Sequence, residues 1–216
     1  MNHISHSRYT IERVDGRLEL RAGGESHGVY LKLDDLRRRL RQGRGLALAK
    51  ACGVRPRLRV LDGMAGFGLD GITLAALGCD VWMVERDPLL FTLLEDAIAR
   101  ARESVPIPGT IECSEGDVRD VLAAGDAFDA IYLDPMFPSR DKAALPRKSA
   151  QVLADLIGVD DGDLADVVSR ATPLARKRVV VKRRRHDVTL AVPDWQIFGR
   201  SVRFDVYKGT AVAESG

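Results

Sequence analysis

Two alternating runs open the patterned part of the chain. Tyr9-Thr10-Ile11-Glu12-Arg13-Val14 and Arg17-Leu18-Glu19-Leu20-Arg21 flank Asp15-Gly16, and period-two alternation across an Asp-Gly pair predicts a β-hairpin. Gly23-Gly24 and Gly28 interrupt it before the short extended run Val29-Tyr30-Leu31-Lys32-Leu33. From Asp34 the period lengthens. Leu33, Leu36 and Leu40 share one face with arginines on the others, which predicts a helix. The break Gln42-Gly43-Arg44-Gly45 then leads to a second short helix through Cys52.

Past Arg57, strand-like and helix-like segments take turns. Strands are predicted at 58–61, 81–84, 110–113, 130–133, 179–182, 195–198 and 202–207. Helices are predicted at 69–77, 88–102, 118–123, 149–157 and 164–175. Pro88 suits a first helical turn, with Asp87 before it as cap. The β-branched run Val179-Val180-Val181 fits a strand buried on both faces of a parallel sheet. Repeated strand–helix–strand units predict an α/β fold with right-handed crossovers. Only Gly199-Arg200-Ser201 separates the last two runs, so they form a hairpin in which one strand is antiparallel to the rest. The expected plan is a small N-terminal α+β extension over 1–54 and a Rossmann-like domain over 55–216, with a mostly parallel seven-stranded sheet.

Composition narrows the class. The 216 residues are 45% apolar and 30% charged, the balance of a globular protein. No apolar run reaches the ~18 residues of a membrane helix, and residues 1–8 lack the apolar core of a signal peptide. Cys52, Cys79 and Cys113 form no CxxC pair, and the four histidines have no metal-ligand spacing. Neither a disulfide framework nor a metal site is expected, and the expected compartment is the cytoplasm.

The net charge of +2 hides a segregation. Residues 32–59 carry ten basic side chains against two acids, and residues 176–186 carry seven against none. Such clusters can make one face positive whatever the sum, although a solvated helix face is the plainer reading. Arg37, Arg38, Arg39, Arg41 and Arg44, together with Lys182, Arg183 and Arg184, are the candidate contacts to phosphates of a nucleic acid.

Val60-Leu61-Asp62-Gly63-Met64-Ala65-Gly66-Phe67-Gly68-Leu69-Asp70-Gly71 contains a literal GxGxxG at Gly66, Gly68 and Gly71. In a dinucleotide fold the first glycine follows directly on the strand and a helix N-terminus receives pyrophosphate. Here Asp62 to Ala65 intervene. The pattern reads better as Asp-x-x-x-Gly-x-Gly, which resembles the methyltransferase loop for S-adenosylmethionine, a cofactor whose methionine end carries an ammonium and no phosphate. Glu85, at the end of the second strand, can accept both ribose hydroxyls of an adenosyl group; capping the next helix is the alternative. Asp117 in Glu115-Gly116-Asp117 is a candidate for the adenine amino group and equally a plain N-cap.

The segment Ile131-Tyr132-Leu133-Asp134-Pro135-Met136-Phe137-Pro138 carries the chemistry. An amino group on a nucleobase is a poor nucleophile because its lone pair is delocalised into the ring. Acceptors held against its N–H groups, here the Asp134 carboxylate and the Pro135 carbonyl, favour pyramidalisation as charge develops. Pro135 fixes its own φ and keeps Asp134 extended, and Phe137 offers a face for a splayed-out base.

With Gly43-Arg44-Gly45, Asp62-x-x-Ala65-Gly66-x-Gly68-x-Asp70, Glu85-Arg86, Asp134-Pro135-Met136-Phe137-Pro138, Arg178-Val179-Val180-Val181-Lys182-Arg183 and Arg203-Phe204-Asp205-x-Tyr207 in place, the chain resembles the bacterial 16S ribosomal RNA guanine-N2 methyltransferases of the RsmJ type, from about residue 9 to 209. The resemblance implies a class I methyltransferase fold, S-adenosylmethionine as donor, and a guanine of 16S ribosomal RNA as acceptor, in naked RNA or in the small subunit. It also implies cofactor contacts at Leu69-Asp70, Glu85-Arg86, Gly116-Asp117 and Asp134. The alternatives are an adenine-N6 methyltransferase of RNA or DNA, a nicotinamide-dependent oxidoreductase, and a catalytically silent RNA-binding protein.

Overall fold

The computed structural model describes residues 5–6, 9–22, 28–135 and 162–212. The N-terminal strands are β1 (Ser5–His6), β2 (Tyr9–Val14) and β3 (Arg17–Ala22), an antiparallel sheet whose β2–β3 hairpin closes at Asp15-Gly16. The run after Gly28 forms no strand. Val29 makes one isolated bridge to Leu20. Helices α1 (Leu33–Leu40) and α2 (Ala47–Cys52) follow, joined through a single 3₁₀ turn at Gly43–Gly45.

The remaining elements are β4 (Arg59–Asp62), α3 (Leu69–Ala76), β5 (Asp80–Glu85), α4 (Pro88–Ser104), β6 (Ile111–Glu115), α5 (Val118–Ala124), β7 (Phe128–Leu133), α6 (Gly162–Ala171), β8 (Ala175–Arg184), β9 (Trp195–Phe198) and β10 (Val202–Lys208). Seven strands form one sheet in the order β6-β5-β4-β7-β8-β10-β9. The β4–β8 pairings are parallel, and β10 runs antiparallel to both of its neighbours. All seven strands fall where alternation and β-branched runs place them.

Two boundaries differ from the pattern for identifiable reasons. The helix expected over 164–175 stops at Ala171 and tightens into a 3₁₀ turn, Thr172–Leu174, because Pro173 has no N–H to continue it. The strand expected at 179–182 extends over Ala175–Arg184, since β10 pairs with it from Arg178 to Arg184. The helix expected at 149–157 lies outside the described residues.

The sheet is covered on both faces. Val60, Met83, Ala130, Tyr132, Val180 and Phe204 pack under α1, α2, α3 and α4. Leu61, Val84, Ile131, Leu133 and Val181 pack under α5 and α6. Leu31, Leu36, Leu48 and Ala51 belong to the first of these cores, so the pattern boundary near residue 54 does not interrupt the packing. The β2–β3 hairpin rests on α4 through Tyr9, Leu20, Leu89, Leu90 and Leu93. No helix among the described residues is long and apolar enough to cross a membrane.

Candidate active site

In an open α/β sheet, ligands bind beyond the carboxyl ends of the strands. Asp62 ends β4, Glu85 ends β5, and Asp134 follows β7 directly. Register places the acids on one face. Asp62 pairs with Met83 and Tyr132, and Tyr132 with Val180; period-two alternation then puts Asp62, Tyr132, Asp134 and Lys182 on the side covered by α1–α3.

The loop from β4 to α3 turns on Gly66 and Gly68, with φ of 54° and 84°, a left-handed region that disfavours side chains. A Cβ on Gly68 would also come within 2.5 Å of Leu94. Glu85 holds this loop from below: its Oε2 accepts from the Gly66 amide at 2.7 Å and its Oε1 from the Asp87 amide at 2.9 Å. Burial pushes the Glu85 carboxyl up, against the pull of those two amides. Gly71 lets α3 close onto Asp62, since a Cβ there would lie 2.7 Å from Asp62 Oδ2. The third glycine of the GxGxxG thus serves helix packing.

Asp62 is 1% exposed, and neither carboxylate oxygen has a well-formed hydrogen bond among the described residues. Burial and the nearby Asp70 and Asp134 carboxylates push its pKa well above the ordinary range, outweighing the adjacent Met64 amide and the Lys182 charge.

Asp70 is the opposite case. Its Oδ1 is bonded by Arg39 of α1, and its Oδ2 accepts from the Tyr132 hydroxyl at 2.6 Å and from Lys182 Nζ at 2.9 Å. Burial alone would raise its pKa, but the Lys182 and Arg39 cations and the Tyr132 hydrogen bond hold it far below the usual carboxylate range. Lys182 Nζ also donates to Asp134 Oδ2 at 2.6 Å, leaving Asp134 Oδ1 unengaged among the described residues. Burial raises the Asp134 pKa against the opposing pull of Lys182. For Lys182, burial works against the charged form, yet Asp134 and Asp70 more than offset it and raise its pKa.

Several residues that their patterns assign to ligand or RNA have other surroundings. Lys182 and Arg39, expected at RNA phosphates, are ion-paired inside the rim. Arg183 is 5% exposed and donates to the Val188 carbonyl at 2.9 Å, so alternation turns it away from any phosphate track while Lys182 faces the site. Arg37, Arg38, Arg41 and Arg44 are exposed, the first two paired with Asp34 and Asp35 one turn earlier; Arg184 is half-buried. Asp117 caps α5, accepting from the Arg119 amide at 2.8 Å. Leu69 and Asp70 open α3, with the Asp70 carboxylate committed to the ion cluster; Arg86 is exposed beside Glu85. At Gly116 an added Cβ would meet nothing within 4 Å, so the main chain is open there. Phe137 lies outside the described residues. Tyr132 belongs to the site without matching any motif; its i, i+2 relation to Asp134 on a strand is the signal that places both on one face.

The rim suits a ligand that brings hydroxyls and a cation: neither Asp62 oxygen has a well-formed hydrogen bond among the described residues, Glu85 keeps lone pairs on both oxygens, and an added Cβ at Gly116 would meet nothing within 4 Å. Among the described residues no group of three His, Cys, Asp or Glu side chains could hold a metal ion. Strand order, glycine loop and acids at successive strand ends define a class I methyltransferase. The chain belongs to a family described as putative SAM-dependent methyltransferases, whose model matches residues 2–209. It is 43% identical over 185 residues to the Ribosomal RNA small subunit methyltransferase J of Pseudomonas paraeruginosa, covering 82% of this chain and 70% of the relative. To the protein of that name from Photobacterium profundum it is 38% identical over 232 residues, covering 98% and 90%. A crystal structure of a SAM-dependent methyltransferase from Neisseria gonorrhoeae superposes with a TM-score of 0.75 at 28% identity, over 97% of this chain and 87% of that one.

Proposed function

We propose that the protein transfers a methyl group from S-adenosylmethionine to the exocyclic N2 of a guanine in 16S ribosomal RNA, in the cytoplasm. The observation that carries this reading is Asp134 directly after β7, its Oδ2 bonded by Lys182, at the same row of strand ends as Asp62 and Glu85. The names of the relatives at 43% and 38% identity support the choice of RNA.

When bound, the donor supplies an electrophilic methyl group on a sulfonium centre. Glu85 would hold its ribose hydroxyls while keeping the glycine loop in shape, with Asp62, Gly66 and Gly68 lining the methionine side. Gly116 and Asp117 flank the place for the base. Asp134 Oδ1 and the Pro135 carbonyl accept the two N–H groups of the guanine N2 and turn its lone pair toward the methyl group, an arrangement fixed before the reaction begins. N2 would take the methyl carbon as that carbon's bond to sulfur breaks and the electron pair stays on the departing thioether, and Asp134 Oδ1 would accept the one proton that N2 then gives up. Phe137 stacks on the base, and the exposed Arg37, Arg38, Arg41 and Arg44, with Arg184, follow the backbone phosphates.

Single-turnover methylation of 16S ribosomal RNA fragments, followed by nucleoside analysis, tests the reading. N2-methylguanosine is the expected product, and Asp134→Ala lowers the rate by about 10²–10³, the usual loss for one preorganised charge-stabilising group. Methylation appearing on adenine N6, or an Asp134→Ala variant as fast as wild type, would refute it.

A further inference from the structure

Two cations sit at the centre of the rim, and the scheme above uses only the bond from Lys182 to Asp134. Lys182 of β8 bridges Asp70 and Asp134, and Arg39 of α1 bonds the far oxygen of Asp70. Neither is disposed as a phosphate contact. The Lys182 side chain is 20% exposed and two of its three N–H groups are committed to carboxylates. Arg39 is 27% exposed, whereas Arg37 and Arg38 on the same helix are 47% and 57% exposed.

A buried ion cluster is weak evidence for stability, because desolvation offsets most of the Coulombic gain and apolar side chains would join the same elements as well. The cluster ends on the one carboxylate that the proposed reaction needs in a fixed orientation. We infer that Lys182 and Arg39 are positioning residues for methyl transfer: Lys182 directly, and Arg39 through Asp70 and Lys182, hold Asp134 with Oδ2 turned inward and Oδ1 presented to the nucleobase amino group. This rests on the reading of Asp134 as the amino-group acceptor. Arg39 and the Tyr132 hydroxyl fix Asp70 through its two oxygens, Asp70 fixes Lys182, and Lys182 fixes Asp134. The N-terminal helix is thereby part of the catalytic centre.

Among the described residues, the groups facing Asp134 are Lys182 from β8, Asp70 from α3, Arg39 from α1, Asp62 from β4 and Tyr132 from β7. Removing a cation leaves three carboxylates facing one another, so Asp134 protonates at higher pH and the acidic limb of the pH–rate profile moves upward.

Lys182→Met risks misfolding, so Arg39→Gln and Lys182→Arg are the informative variants. With saturating donor and 16S ribosomal RNA, Arg39→Gln is expected to lower the single-turnover rate by about tenfold or more, within the range small misplacements cause. Its S-adenosylmethionine Kd should change less than about twofold and its acidic limb should move up, while Lys182→Arg, which keeps the charge, should hold the limb near its wild-type place. An Arg39→Gln variant with raised KM for RNA and unchanged rate would overturn the inference in favour of a phosphate contact. A fall in rate matched by loss of donor affinity, with no pH shift, would overturn it in favour of a purely structural role. Wild-type protein that methylates no guanine would remove the reading of the reaction itself; active wild type beside an unaltered Arg39→Gln removes only the positioning role.

Discussion

Asp62 and Asp70 stand at the two ends of one glycine loop, both nearly inaccessible to water, and their environments are opposites. Asp70 is wrapped by Arg39, Tyr132 and Lys182 and is held ionised. Asp62 has no well-formed hydrogen bond among the described residues and is pushed toward the neutral acid. Burial is common to both, so the difference comes from the partners. A buried carboxylate with its cations in place is a fixed part of the scaffold. One without them carries an unmet demand for donors, and an incoming cationic or hydroxyl-bearing ligand can meet it.

Asp70→Asn should give the largest stability effect of the pair. It leaves Lys182 and Arg39 facing each other across an uncharged amide, and breaking a buried ion pair from one side typically costs about 3–5 kcal/mol. The pH dependence has a definite sign. Because the folded pKa of Asp70 is depressed, its contribution is full above the unfolded value of about 3.9 and is lost as pH falls below it. Denaturant melts of wild type and Asp70→Asn should therefore converge as the medium is acidified past that point. A constant gap would show that the carboxylate charge is not what the two cations need.

Asp62→Asn should do the reverse, and more gently. The folded pKa of Asp62 is raised, so folding resists its ionisation, and the cost to the wild type grows as pH rises from the unfolded value toward that raised one. Asparagine has no such cost. The variant should melt a few degrees higher than wild type at alkaline pH, roughly 2–4 °C per kcal/mol for a chain of this size, and the advantage should vanish on acidification. Its affinity for S-adenosylmethionine, read by calorimetry, should fall. An unchanged affinity would take Asp62 out of the donor site.

The smallest effect belongs to the exposed arginines. Neutralising Arg37 and Arg41 together should flatten the slope of log K against log salt for RNA binding by about one per lost phosphate contact. The single-turnover rate at saturating RNA should hold. A slope that did not move would leave these side chains as solvated helix surface.

The strands are legible in the sequence because runs such as Val179-Val180-Val181 have few other places to go, and the glycine loop because its spacing from Asp62 counts against the dinucleotide pattern. Arg39 is not. With 100° per residue, Arg37 lies about 70° and Arg39 about 90° from the centre of the Leu33–Leu36–Leu40 stripe, on opposite sides of it. The helix alone gives no reason to prefer Arg39 as the inward-facing cation. Asp70, distant in sequence, decides it. The same holds for Lys182, which reads as the first residue of a basic run until register sets it level with Asp134 and on its face. The Asp117 cap, by contrast, is visible as one of two readings, because an acid one residue ahead of a helix satisfies an orphan N–H in any context.

The ion cluster also sets when in the life of the chain the site comes into being. Its bonds join residues 31, 48 and 112 positions apart, and its hub, Lys182, lies on β8, which separates β7 from β10 in the middle of the sheet. Until β8 is synthesised and inserted, β7 has an open edge and neither Asp134 nor Asp70 has its bond to Lys182. Contacts of such long range form late, after the entropy of closing their loops has been overcome. A nascent chain still emerging from the ribosome therefore carries every acid of the glycine loop and no assembled centre, and competence arrives with the final third of the sequence.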